Sequence, residues 1–516
     1  MPISPGVTVE APSTVPDSVD SRDALLLAKT GGAKAVARRL LCFPVLLGVL
    51  LVAGVIISVR SNLPDPDTWY HAVAGEEVLA THAWPTVDRY SFTAYGRDSM
   101  TLEWLGDVLI AEAARLGDLL GMMLLLAALS SALMILLYYY ASLRSGNSKA
   151  SFAACVLLVP LVSGFCHLRP QVLGYIFFLI TLICLEHFRR GRQRALWVLP
   201  PLFAIWVNVH GTFIFGFLAL GLYWASGLAE FRWGGIVAER WTKAQHRQLI
   251  LTILGCALTL PLTPYGTRLA VYTVHVIRHA PLGMSNITEY QPLGSYPSLL
   301  KMFLALFLPF LLAQVILRPS YRLDDMVLFV AAAYGACVHA RLLFFFALIF
   351  APLLAFLLPR WIDRYEPAKD RYVLNAIIVA LIGLGLVKSF PSRSELRQQI
   401  SAEYPQKAVD YLREHPVAGS LLNDYGWGGY LIWAYPERKV FIDGRSQLYE
   451  DSGVYADYLR LMGVEKETLT LLTKYDLQGC LLRRESPLVT FLEALPDWDR
   501  VYSDKVSAIM LRRKRS

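Results

Sequence analysis

The sequence predicts an all-α polytopic membrane fold of about eleven transmembrane helices with a small α/β domain at its C-terminal end. Three observations predict it. Of 516 residues, 55% are hydrophobic and only 17% charged, against roughly 25% charge in a soluble domain. Leu, Val, Ile, Phe and Ala gather into runs of about 16 to 23 residues, the length that crosses a ~30 Å hydrocarbon core. Arg-rich breaks separate these runs, and beyond Ser389 the chain turns polar, with short strand-like segments.

Taken in order, residues 1–39, rich in Pro, Ser, Thr and Val, read as a disordered cytoplasmic leader. The run 40–58 is too long for a cleaved signal and no Ala-x-Ala site follows it, so it reads as a retained anchor opening a transmembrane domain over 40–389. Further spans are expected near 118–140, 151–166, 171–187, 196–208, 211–229, 248–264, 298–317, 323–338, 342–358 and 372–389. Three apolar stretches resemble single long helices, but basic segments that prefer one side bracket each of them. Each must therefore cross an even number of times, with tips at His167–Pro170, Asn208–Gly211 and His339–Arg341.

Up to Ser389, Lys and Arg run 21 to 8 in favour of the segments assigned to the inner side; the basic residues of the tail are set aside because long domains cross largely regardless of charge. That bias puts the N-terminus in the cytoplasm and makes 60–117, 265–297 and the domain 390–516 extracytoplasmic, in a multi-pass protein of the cell membrane. It also accounts for the net charge of +8 without a nucleic-acid partner. In the tail, Tyr404–His415 is expected as a helix, and Lys439–Asp443, Gln478–Arg483 and Val506–Arg512 as strands. The seven cysteines are scattered and form neither a disulfide framework nor a Cys-x-x-Cys site.

Polar residues that membrane insertion disfavours gather at the outer ends of the expected helices, as residues lining one outer-leaflet cavity would. In Asp65-Pro66-Asp67-Thr68-Trp69-Tyr70-His71, two carboxylates at the bilayer edge suit oxygen ligation of a divalent cation or general-base work. The plainer reading is an Asp-Pro turn with Asp67 capping the next helix. Glu289, in Asn286-Ile287-Thr288-Glu289-Tyr290-Gln291-Pro292, is either solvated or aimed at the same cavity. Arg341, beside His339 at the start of an apolar helix, either snorkels to the interface or holds a lipid phosphate with its planar fork; Arg169, at another tip, is a second phosphate candidate. His71, Glu103, His167 and His210 are candidate substrate contacts. Tyr425 and Trp427, set among glycines in Asp424-Tyr425-Gly426-Trp427-Gly428-Gly429, suit a tight loop over the membrane face and are candidate substrate contacts as well. Asp443 and Arg445 read equally well as an internal ion pair.

In this order the motifs resemble the oligosaccharyltransferase catalytic subunit and, more broadly, polyprenyl-phosphate-dependent membrane glycosyltransferases of the GT-C type. Asp67 resembles the family's first-loop catalytic acid. Asn286-Ile-Thr-Glu289-Tyr-Gln-Pro is similar to Ser-Val-Ser-Glu-His-Gln-Pro, whose Glu positions acceptor and metal. Arg341 resembles the arginine on the donor phosphate, and Asp424-Tyr425-Gly426 falls where the family has Trp-Trp-Asp-Tyr-Gly. The resemblance implies a GT-C-like body, a lipid-linked sugar donor and a divalent Mg or Mn held by Asp67 and Glu289. His167-Leu168-Arg169-Pro170-Gln171 stands where the family has a second acidic pair, and Leu422-Asn423 where its tandem Trp reads the acceptor, so no particular acceptor carries over.

The expected activity is therefore sugar transfer, at the outer face, from a polyprenyl-phosphate-linked donor to a glycan, lipid or protein acceptor. Asp67, Asp65 and Glu289 would do the chemistry; Arg341, Arg169 and His339 would hold the donor phosphate. The alternatives are a lipid or solute transporter or flippase, which needs ionisable groups at mid-membrane, and a non-catalytic envelope-assembly protein, which would not consume donor.

Overall fold

A computed structural model describes residues 32–269, 272 and 285–513. Most of the expected leader, and the middle of the expected 265–297 loop, lie outside the described residues. A short basic helix, α1 (Gly32–Leu40), leads into α2 (Phe43–Val59). Then follow α3 (Pro66–Thr81), α4 (Trp104–Ser145), α5 (Ser148–Ser163), α6 (Gln171–Arg189), α7 (Leu199–Trp206), α8 (Phe213–Ser226) and α9 (Lys243–Leu258). The body closes with α10 (Pro297–Leu317), α11 (Leu323–Val338), α12 (Leu343–Leu357) and α13 (Tyr372–Ser389).

Each expected span falls on a helix. Among the described residues five helices are long and apolar enough to cross a membrane: α4, α6, α10, Ala340–Arg360 around α12, and α13. Apolar α2, α5 and α8 are shorter. The segment expected at 196–208 is six residues of 3₁₀ helix, Gln193–Val198, followed by eight residues of α7, because Pro200 and Pro201 start a new helix there. The chain is a multi-pass membrane protein in which, among the described residues, five helices have the length and composition of a full span. α10 and α13 leave apolar side chains uncovered, with Ile316 67%, Val373 76% and Val387 78% exposed, as helices facing hydrocarbon do.

Two features of this body position the site. α4 departs from helical geometry at Asp118 (φ 55°), which separates a polar first-loop portion from the apolar portion beginning at Leu119. Aromatic packing around α12, with Phe346 against Phe303, Phe329 and Phe350, anchors the apolar run that follows Arg341.

A small sheet of β1 (Phe231–Trp233), β2 (Ile236–Ala238) and β3 (Tyr321–Arg322) lies between α8 and α11 in the chain. Beyond α13 the chain forms the α/β unit: β4 (Ser420–Asn423), β5 (Leu477–Arg483), β6 (Trp498–Ser503) and β7 (Ser507–Arg512), in the order β4-β5-β7-β6. β4 and β5 run parallel; the β5–β7 and β6–β7 pairs are antiparallel. The expected helix is found at Gln406–Glu414. The strand expected at Lys439–Asp443 does not join this sheet: Val440 instead bridges to the first loop, accepting from Phe92 N–H and donating to the Tyr90 carbonyl. Its pairing partner lies some 350 positions away in the chain, so local patterning alone misassigns it.

Candidate active site

The site is assembled around the N-terminus of α3. Asp65, not Asp67, caps this helix: its Oδ1 accepts from the backbone N–H of Asp67 (3.1 Å) and of Thr68 (3.3 Å), with Pro66 in the first turn. The same carboxylate receives a fork from Arg169, Nε to Oδ1 and Nη2 to Oδ2, both 2.7 Å. Burial alone would raise the Asp65 carboxyl, but the Arg169 guanidinium holds it down at about 2.

The remaining corner of Arg169 is shared. Its Nη1 lies 2.9 Å from Asp67 Oδ2 and 3.1 Å from Glu289 Oε1. One guanidinium therefore gathers three carboxylates from two distant segments, 65–67 and 289. Burial, with the charges of Asp65 and Glu289, pushes Asp67 above its ordinary value against the pull of Arg169 and His71.

These side chains face a cavity of about 430 Å³ lined by Asp67, His71, Glu103, Asp107, Arg169, Gln171, His210, Glu289, Tyr290 and Arg341. The C-terminal domain supplies Tyr425, Gly426 and Gly444–Leu448 to its wall. Arg341 is placed by the hydrogen bond from Ala340 N–H to the Gln291 carbonyl (2.9 Å). It donates to Gln171 Oε1 at 3.4 Å and lies over the Tyr290 ring at 4.6 Å. Among the described residues no carboxylate comes within 4.0 Å of it.

On the other side, His71 Nδ1 meets Asp107 Oδ1 at 2.7 Å, and His71 Nε2 faces Glu103 Oε2 at 3.7 Å. Burial would lower the His71 pKa, but the charge and hydrogen bond of Asp107, with Glu103 and Asp67, raise it to about 9. His210 Nε2 reaches Glu103 Oε1 at 3.2 Å. Burial and the positive charges of Arg341, His71 and Arg169 hold His210 at about 3, so it is neutral.

The remaining expected site residues stand outside the cavity. His339 donates from Nδ1 to the Tyr290 carbonyl (2.7 Å) and steadies that loop. His167 lies 3.6 Å from Asp65, behind the cap. Trp427 is buried, its indole N–H on the Glu403 carbonyl; it packs the domain while its neighbour Tyr425 reaches the cavity. Asp443 and Arg445 do form an ion pair (2.6 Å), extended to Asp88 of the first loop (2.7 Å). Arg445 is both things the sequence allowed, an ion-pair partner and a cavity residue. Sequence reading missed Asp107, although its spacing of four from Glu103 puts both on one helical face, and missed Gln171 as a cavity residue.

The donor set decides how a divalent cation fits. Asp67 and Glu289 share a guanidinium nitrogen and both Asp65 oxygens are engaged by the same side chain, so an ion between Asp67 and Glu289 would have to displace Arg169. Those residues do not fit a metal. His71, Glu103 and Asp107 place one donor atom each within 4.8 Å of one another, but the short contact there joins His71 to Asp107.

No family model and no curated protein matches the chain. Solved structures do. The oligosaccharyltransferase of Archaeoglobus fulgidus, tethered to an acceptor peptide containing the NVT sequon, aligns at 12% identity over 84% of this chain and 68% of its own, with a TM-score of 0.52. Its apo form scores 0.50. ArnT from Cupriavidus metallidurans, bound to undecaprenyl phosphate, aligns at 13% identity over 90% of this chain and 97% of its own, with a TM-score of 0.50. The chain shares the fold of these proteins, one of which is of the kind that its motifs resemble.

Proposed function

We propose that the protein transfers a sugar from a polyprenyl-phosphate-linked donor to an acceptor at the outer face of the cell membrane, with its N-terminus in the cytoplasm and residues 390–516 outside. The observation that carries the reading is Arg341: a guanidinium at the cavity with no carboxylate within 4.0 Å among the described residues, across from acids held by Arg169. A fork left open in this way suits two oxygens of a phosphate. The neighbour bound to undecaprenyl phosphate supports that ligand class.

In this reading Arg341 neutralises the charge that develops on the leaving lipid phosphate as the glycosyl bond breaks. Asp67 and Glu289, fixed by Arg169, orient the incoming nucleophile. Tyr425 and the Gly444–Leu448 segment form the acceptor-side wall. Asp65 acts through Arg169 as a positioning residue. Outer-face transfer needs a lipid carrier because nucleotide sugars stay in the cytoplasm. The test is incubation of purified protein with a radiolabelled polyprenyl-phosphate-sugar pool: the enzyme releases polyprenyl phosphate, whereas a transporter or an assembly protein leaves the pool intact.

A further inference from the structure

Asp67 is poorly placed to receive a proton. Its Oδ2 faces Arg169 at 2.9 Å, and its Oδ1 lies so close to Gly444 that a Cβ there would stand 2.1 Å away. Glu103 is placed differently. It immediately precedes α4 and is held there by two bonds to the Asn208 tip, Trp104 Nε1 to Asn208 Oδ1 (2.8 Å) and Leu105 N–H to the Asn208 carbonyl (3.1 Å). Its two oxygens face two imidazoles, His71 Nε2 and His210 Nε2.

Each imidazole has its far nitrogen occupied. His71 Nδ1 is on Asp107, whose side chain is 1% exposed. His210 Nδ1 accepts the Thr212 backbone N–H at 3.0 Å. With Nδ1 an acceptor, the proton of neutral His210 sits on Nε2, which donates to Glu103 and is not open to a metal. Within this chain of four ionisable groups Glu103 is the most open to the cavity, 26% exposed against 11% for His71 and 14% for His210.

We propose that Glu103 is the base that takes the acceptor's proton, backed by the His71–Asp107 pair on one side and by His210 on the other. The inference rests on the functional reading above. In the step, the acceptor O–H bond breaks and its proton passes to a Glu103 oxygen. The freed electron pair forms the bond to the anomeric carbon, and the carbon–oxygen bond to the lipid phosphate breaks with its pair leaving on the phosphate, toward Arg341. The groups facing Glu103 are His71 and Asp67 from α3, Asp107 from α4, and Arg169 and His210 from the two tips. Burial, with Asp107 and Asp67, lifts its carboxyl to about 7 against His71 and Arg169, which matches a base working near neutral pH.

Three variants test this by turnover of the labelled donor and by binding of undecaprenyl phosphate. Glu103→Gln should lower turnover by about 10²-fold or more, abolish the acid limb of the pH–rate profile and leave undecaprenyl phosphate binding within about twofold. Glu103→Asp should keep the limb, and formate should restore part of the activity of Glu103→Ala. Glu103→Gln turning over within about threefold of wild type with an unchanged profile overturns the proposal. So does wild-type activity that chelation abolishes and Mn²⁺ restores, which would make the group a metal site. A wild-type protein that neither consumes the donor nor binds undecaprenyl phosphate defeats the functional reading instead.

Discussion

Gly444 and Asp67 stand in direct apposition: a Cβ built on Gly444 would fall 2.1 Å from Asp67 Oδ1. The C-terminal domain is thus a wall of the cavity rather than an appendage, and only glycine allows its backbone so near the carboxylate. Tyr425, whose hydroxyl donates to the Gly444 carbonyl at 3.2 Å, holds the loop there.

Gly444→Ala is expected to displace Asp67 or the loop by a fraction of an ångström to an ångström. A shift of that size at reacting groups costs on the order of 10²-fold in rate. Turnover of the labelled donor should fall accordingly, with expression and gel-filtration profile retained.

Asp65→Asn should destabilise the protein more than it alters chemistry. It leaves the buried Arg169 without its fork, and breaking one side of a buried pair costs about 3–5 kcal/mol. Because the folded carboxyl sits at about 2, below its ordinary 3.8, its contribution is fully present above pH 3.8 and is lost as the pH falls through about 2. The melting temperatures of wild type and variant should therefore differ at pH 6 and converge toward pH 2.

Asp107→Asn tests the other buried pair, with the opposite sign. His71 is raised to about 9 from 6.5, so the stability it contributes is fully present below 6.5 and is lost as the pH rises through about 9. A decline in melting temperature between pH 7 and 9 is expected for wild type and should be smaller in Asp107→Asn.

The part of this arrangement that was readable from sequence is the part governed by local rules. Apolar runs of membrane length became helices because the backbone has no other partner in hydrocarbon. Asp67, Glu289 and Arg341 were conspicuous as charges at helix ends and do lie at one cavity. The cap went to Asp65 because Pro66, lacking an N–H, fills the first helical position and leaves the next two donors to the residue before it. Trp427 and His339 looked like ligands by type, but an indole buried against Glu403 and an imidazole on a carbonyl are explained by packing that no short motif encodes. Arg169 is the clearest case. A lone arginine at a tip reads as a phosphate ligand until folding brings three carboxylates to it.

Orientation is checked at Lys466, exposed in the C-terminal domain; Cys480, the natural thiol of that domain, is fully buried and will not report. Lys466→Cys should react with a membrane-impermeant maleimide in intact cells, as the 21-to-8 bias of basic residues requires. Labelling only after permeabilisation reverses the topology.

The most direct measurement of the central claim is donor consumption by purified wild-type and Arg341→Lys protein, using a radiolabelled polyprenyl-phosphate-sugar pool. A snorkelling anchor needs only a cation on a long stem, whereas a fork on two phosphate oxygens is not replaced by an ammonium. Losing one charge-assisted bond costs on the order of 1.5–3 kcal/mol, about ten- to a hundredfold. Wild type should release polyprenyl phosphate, and Arg341→Lys should raise the apparent donor KM or lower turnover by about that factor with thermal stability unaltered. A wild-type protein that leaves the donor intact, or a lysine variant that retains full donor affinity, would contradict the account.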